Sequence, residues 1–324
     1  MSCRIHVAVA VVFNSKGQVL WAQRPQGKPY ANYWEFPGGK VEANESIWQA
    51  LVRELKEELD LDILEGGPWF VIDHDYEHAK VRLHLYRVWK FSGNPRALEQ
   101  QRFTWSSLSD SILTPILPAT LPILPLFNQP QLMRITHFEA MSITHALNLF
   151  ETDKEKAQWR GLRIYFREKN LSAQQLVATY QATWNWCTNH DVPLVVNSVT
   201  ALLLLQAGFP LQVNTTLHLT QDHLMNTPSQ LSRFKVIGAS VHRPEHLAVA
   251  HAKQLTYALL GAVKATPSHP DQEGLGWTGF YEMLHGKTQL PVFAVGGLSF
   301  DDLVHAQGYG AHGIAMMRGH SSIV

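Results

Sequence analysis

At 324 residues the chain is too long for one ordinary domain and long enough for two, each burying its own core. Its 27 basic and 27 acidic residues cancel, so neither a nucleic-acid polymer nor an anionic membrane is expected as a partner held by bulk charge. Two cysteines, Cys3 and Cys187, make neither a disulfide framework nor a zinc site, and no basic-then-apolar leader or apolar run of spanning length is read, which together predict a cytoplasmic protein.

In chain order, the β-rich run 5–13 and the segment 18–23 are predicted to pair as two strands across the turn Asn14-Ser15-Lys16-Gly17. A polar loop over 24–33 leads to Trp34-Glu35-Phe36-Pro37-Gly38-Gly39, where glycines allow close backbone approach. The stretch 39–61, GKVEANESIWQALVRELKEELDL, is predicted to be helical over its second half. Glu54, Glu57 and Glu58 then stand at i, i+3 and i+4, so three carboxylates leave one face within about one turn. No basic residue at those spacings compensates them, and an oxygen-only cluster of this kind suits a hard cation, Mg²⁺ or Mn²⁺. Trp48, Leu51, Val52, Leu55 and Leu59 occupy the opposite side and bury the helix against a sheet. Strands are predicted over 69–75 and 80–91, a loop carrying Glu99 precedes Trp105 and Leu108, a short helix falls within 113–127, and 128–130 reads as a linker.

The stretch 39–61 resembles the Nudix box, in which glycine, five residues, Glu, seven residues and Arg-Glu-apolar-any-Glu-Glu-any-Gly-apolar follow in order. It departs only at Asp60, where the family has a glycine ending the helix in a left-handed turn that Asp tolerates at modest cost. With WEFPGGK before it, the whole of 1–127 resembles a MutT-type Nudix hydrolase. That resemblance implies an α/β/α sandwich with a mixed sheet. It also implies Mg²⁺-dependent cleavage of nucleoside triphosphates such as 8-oxo-dGTP to the monophosphate and pyrophosphate, a sanitation of the nucleotide pool that avoids mutation. Carried over residue by residue, it places Glu54, Glu57, Glu58 and the Gly38 carbonyl on the metal, Arg53 among the catalytic residues, and Glu99 as a further ligand or as the base. Arg24, Phe36 and Thr120 fall on the substrate. Where the family carries an Asn that reads the oxidised purine, Thr120 offers one hydroxyl in place of an amide's donor and acceptor.

Past the linker, strands are predicted over 132–136, 162–167, 194–197, 215–219, 236–239, 257–260, 292–295 and 313–317, alternating with helical segments such as 173–189. Eight strands in this rhythm predict a (β/α)8 TIM barrel over 131–324, with a doubly wound sheet as the alternative. Arg167-Glu168-Lys169, Asn197, His218-Leu219, Ile237 to Ser240, Thr266-Pro267 and Ala294 to Gly297 resemble thiamine phosphate synthase and its TenI relatives. The resemblance implies a phosphate or thiazole ligand gripped by Arg167, Lys169, Asn197, Ser240, Gly296 and Gly297. Two Mg²⁺ carboxylates of the synthase are replaced by Ser198 and His223, and its lysine by His269, so a barrel without synthase activity is expected. The alternative function is a thiamine-pathway protein whose barrel binds a thiazole or pyrimidine phosphate while the Nudix domain hydrolyses a thiamine-related diphosphate.

Overall fold

A computed structural model describes residues 4–107, 113–212, 214–266, 273–284 and 290–317, leaving out the Phe70 side chain. The chain divides into two compact units with the boundary between Gln129 and Pro130. Leu108, Pro267 and His269, each named above, lie outside the described residues.

In the first unit, the opening apolar run forms β1 (Ile5–Val12), whose two faces serve two cores. Ala8, Ala10 and Val12 lie in the core beneath the helix, where small side chains let a helix come close, while Val9 and Val11 belong to the core on the other side. The remaining strands are β2 (Val19–Gln23), β3 (Trp34–Glu35), β4 (Gly38–Lys40), β5 (Asp62–Asp75), β6 (Lys80–Ser92) and β7 (Phe103–Ser106). They form a mixed sheet ordered β4-β1-β6-β5 and an antiparallel sheet ordered β3-β2-β7.

Two expectations are corrected here. The turn after β1 forms, with Asn14 N–H donating to the Gln18 carbonyl, but it is followed by one isolated bridge, Phe13 to Val19, and no paired ladder. Both edges of β1 are taken, by β4 and β6, so β2 crosses to the second sheet. Strand β5 begins at Asp62 rather than at residue 69. The Gly66-Gly67-Pro68 segment that reads as a break is absorbed by register shifts against β6, and a side chain on Gly66 would come within 2.5 Å of the Arg87 carbonyl.

Helix α1 (Ile47–Leu59) starts with a capping box: Ser46 Oγ accepts the Gln49 N–H at 3.2 Å, and Gln49 Oε1 accepts the Ser46 N–H at 2.8 Å. Ala50, Leu51, Leu55 and Leu59 are buried on one side. Asp60 ends the helix at φ 53°, ψ 35°, in the left-handed conformation that usually favours glycine, and Lys56 bonds its carboxylate at 2.8 Å.

The second unit closes into a barrel of eight parallel strands, which excludes the doubly wound sheet. These are β8 (Leu132–Ile135), β9 (Leu162–Phe166), β10 (Leu194–Asn197), β11 (Thr216–Leu219), β12 (Lys235–Val241), β13 (Tyr257–Gly261), β14 (Val292–Val295) and β15 (Gly313–Met316). Alternating residues divide between the barrel interior, with Met133, Tyr165, Tyr257 and Phe293, and the layer under the helices, with Leu132, Ile164 and Phe166. Gly238 lacks a Cβ where one would stand 2.2 Å from the Tyr257 ring, so the tyrosine fills the barrel at that level. No described helix is long and apolar enough to cross a membrane.

Candidate active site

The acidic face of α1 meets the glycine pair of β4 side-on. Gly38 sits at φ 141°, and a Cβ there would lie 2.1 Å from the Ala8 carbonyl oxygen. A Cβ on Gly39 would stand 2.2 Å from the carboxyl carbon of Glu54, so only glycine lets that carboxylate rest against the backbone. Glu58 Oε2 accepts the Gly38 N–H at 3.3 Å. Burial, followed by the negative charges of Glu54, Glu35 and Glu99, pushes the Glu58 carboxyl up to about 8. Burial also raises Glu54, against the opposing effect of Arg53.

The helix face is less uncompensated than its spacing implies. Arg53 reaches Glu45 at 2.7 Å, Glu54 at 2.9 Å and Glu57 at 3.1 Å, and donates to the Lys40 carbonyl at 3.1 Å. It therefore fastens the segment before the helix to the helix itself. Glu57 is drawn to that side; its side chain is 58% exposed and lies outside the cleft lining, whereas Glu54 and Glu58 are within it.

Glu99 joins them from a loop hooked to the end of α1. Arg96 N–H donates to the Leu59 carbonyl at 2.9 Å, Leu98 N–H to Glu58 at 3.0 Å, and Gln101 Nε2 to the same Glu58 oxygen at 2.8 Å. These bonds satisfy carbonyls that a helix end leaves open, and they hold Glu99 beside the cleft with Lys28 Nζ 3.0 Å from its carboxylate.

The cleft encloses about 580 Å³. Arg24, Thr120 and Phe36 line it, Phe36, 3% exposed, packing at a tilt against Trp21 with centroids 4.5 Å apart as part of the core floor. Arg24 Nη1 bonds both oxygens of Glu35 at 2.9 Å, and burial still leaves the Glu35 carboxyl above its usual range. At another part of the lining Tyr30, Tyr76 and His78 gather, with centroids 5.4 Å apart for Tyr30–Tyr76 and 5.3 Å for the stacked Tyr76–His78. Burial pushes the Tyr76 hydroxyl to about 12. Neither Glu35 nor this aromatic group was singled out from the sequence. Glu35 was legible as the one acid between two aromatics before the glycines, but Tyr76 and His78 lie in a hairpin connection whose neighbours are set only by folding.

The donor set suits a divalent ion. It consists of carboxylate oxygens and a backbone bare of Cβ atoms, and the half-buried Glu58 carboxyl has the like charges of Glu54, Glu35 and Glu99 around it. Among the described residues no three acidic, imidazole or thiol side chains converge as they stand, since Arg53 and Lys28 draw Glu54 and Glu99 toward themselves.

In the second unit Arg167, Lys169, Asn197, Ser240, Gly296 and Gly297 line one cleft of about 780 Å³. Asn197 is engaged structurally: its Oδ1 caps the helix Ser198–Gln206, and its Nδ2 donates to the Tyr165 hydroxyl at 2.6 Å. Ser240 Oγ lies 2.9 Å from His218 Nε2, inside the barrel, where burial and then Arg163 and Arg167 push the imidazole down to about 3.

Comparison with known proteins fits this geometry. Residues 4–127 match the NUDIX domain family, and residues 147–319 match thiamine monophosphate synthase. Over 121 residues the chain is 40% identical to the CTP pyrophosphohydrolase of Escherichia coli K12, covering 37% of this chain and 88% of that protein. This chain belongs to the Nudix family. Its barrel belongs to the thiamine monophosphate synthase family. Further Nudix relatives are the 8-oxo-dGTP diphosphatase of Proteus vulgaris, 37% identical over 27% of this chain and 80% of that one, and its E. coli namesake, 28% identical over 37% and 94%.

Proposed function

We propose that the Nudix domain is a Mg²⁺-dependent pyrophosphohydrolase that cleaves oxidised nucleoside triphosphates, 8-oxo-dGTP among them, and so clears the nucleotide pool in the cytoplasm. The observation that carries this reading is the meeting of Glu54, Glu58 and Glu99 with the bare Gly38-Gly39 backbone in one cleft that also holds Tyr30, Tyr76 and His78. The names of the relatives, a CTP pyrophosphohydrolase and 8-oxo-dGTP diphosphatases, agree on the bond cleaved while differing in the base.

Glu54, Glu58, Glu99 and the Gly38 carbonyl would hold the metal. When bound it neutralises phosphate oxygens and favours a nucleophilic water. Glu99 takes the proton as the water oxygen bonds to phosphorus, and the α–β bridging bond breaks with its electron pair on the departing oxygen. Arg53 positions the acids without touching the cleft. The aromatic group offers π faces to any base, and Thr120 replaces the amide that reads an oxidised purine, so discrimination between bases is shallower than an Asn would give.

The test is a panel of 8-oxo-dGTP, dGTP, CTP and thiamine diphosphate with Mg²⁺, read by product. Monophosphate and pyrophosphate from the triphosphates, with 8-oxo-dGTP preferred to dGTP, is the expected result. Release of orthophosphate alone, or turnover confined to thiamine diphosphate, would replace this reading.

A further inference from the structure

The barrel's family implies a divalent metal, and the residues of this barrel do not fit one. The two positions that should carry carboxylates hold Ser198 and His223, and these bond each other, Ser198 Oγ to His223 Nδ1 at 2.8 Å. Ser198 Oγ also accepts the Thr220 N–H at 3.1 Å, so the hydroxyl is already committed within the fold. A hard dication prefers anionic oxygens, and a hydroxyl–imidazole pair supplies none. Among the described residues of the cleft lining, Asp222 is the one carboxylate, and it is exposed.

The cations have stayed. Arg167 and Lys169 both line the cleft, close enough that the guanidinium is the first cause of a lowered Lys169 ammonium. His223 and His242 are the other titratable groups facing it, His242 with Nδ1 2.9 Å from the Gly261 carbonyl. With the acid pair gone, the charged groups sum to an excess of positive charge, which repels a metal ion and attracts an anion. Gly296 and Gly297, at φ 108° and 65°, bring bare backbone to the wall; a Cβ on the first would stand 2.6 Å from Ala262. The rest of the lining includes Ile135, Leu259 and Met317, and the volume is that of a small-molecule site.

We propose that the barrel cleft binds a small organic phosphate monoester without a divalent metal, its phosphate held by Arg167 and Lys169 and its apolar part among the strand-end side chains. The His223–Ser198 pair occupies the place of the metal and removes the means of stabilising a departing pyrophosphate, so the site holds its ligand without transferring it.

The experiment is calorimetry on the full-length chain with phenyl phosphate as probe, in excess EDTA and again in excess Mg²⁺. Binding is expected in EDTA and should change less than about twofold with Mg²⁺, while Lys169→Ala, at an exposed position, and Arg167→Ala each weaken it by about tenfold or more. Glu58→Gln should leave it unchanged, which assigns the heat to the barrel. His223→Asp should weaken binding in EDTA and make it respond to Mg²⁺. No binding in EDTA, loss of binding in Glu58→Gln, or strengthening of about tenfold by Mg²⁺ in the unaltered chain would each overturn the proposal.

Discussion

The two clefts differ in which charged groups gather in them, glutamates in the first and cations in the second. In the Nudix cleft Glu35, Glu54, Glu58 and Glu99 line the wall, and burial pushes Glu35, Glu54 and Glu58 toward their protonated forms. In the barrel cleft Arg167 and Lys169 face one exposed carboxylate, and the cation, Lys169, is the group pushed toward neutrality. In each case a titratable group is displaced from its usual range, in the first cleft chiefly by burial and in the second chiefly by the like charge beside it. Under the two proposals above, a metal would supply the counter-charge to phosphate in the first cleft and the chain itself would supply it in the second.

The comparison breaks most visibly if the glutamates of α1 are interchangeable. Glu58→Gln should lower kcat/KM for 8-oxo-dGTP by about 10²- to 10³-fold at saturating Mg²⁺, whereas Glu57→Gln, whose carboxylate is tied to Arg53 outside the cleft, should cost about tenfold or less. Equal losses in the two variants would show that Glu57 swings into the site and that its observed position is not the working one. Glu99→Gln should come next, with kcat falling roughly 10- to 100-fold and KM little changed. A change confined to KM would make Glu99 a ground-state contact and return the search for the base to the helix.

The effects on stability run in opposite directions. Glu58 titrates near 8 in the fold against 4.5 for an ordinary glutamate, so the folded state binds its proton more tightly. Metal-free protein should therefore lose stability as pH rises from about 4.5 to about 8, and Glu58→Gln should flatten that slope. His218, near 3 against 6.5, does the reverse: its contribution is present above about 6.5 and is lost as pH falls toward 3, by about 1.4 kcal/mol for each unit. Thermal melts in EDTA across this range, with Glu58→Gln and His218→Asn alongside, separate the two. A slope above pH 5 that survives Glu58→Gln would mean that the strain lies elsewhere.

Much of this was legible in the chain because periodicity and spacing report local structure directly. The barrel strands fell within a residue or two of their predicted places, and helix α1 formed where the i, i+3, i+4 placement and the Nudix box put it, with Glu54 and Glu58 on the cleft beside the glycine pair and Glu57 turned to Arg53 instead. What escaped depends on long-range pairing. The sequence could not say that both edges of β1 would be occupied, which is why β2 left it. Of the contacts of Arg53, the one to Glu57 at i,i+4 was open to reading from the spacing, whereas Glu54 is the next residue, a spacing that does not normally bring side chains together on a helix, and Glu45 lies eight residues back in the turn before it. Tyr30, Tyr76 and His78 come from two separate loops, and Ser198 and His223 from two barrel helices, so their meetings exist only in the fold.

The contact between Lys28 and Glu99 has a consequence for the order in which ligands arrive. Were Glu99 to turn to a metal, as proposed above, Lys28 would lose its carboxylate and its ammonium would be left in the cleft that phosphates would enter. Each ligand would thereby lower the work of binding the other, because the ion pair would have to be opened only once for both. By linkage, nucleotide would then tighten Mg²⁺ by the same factor that Mg²⁺ tightens nucleotide, and Lys28→Ala should weaken that reciprocity more than it weakens either affinity alone.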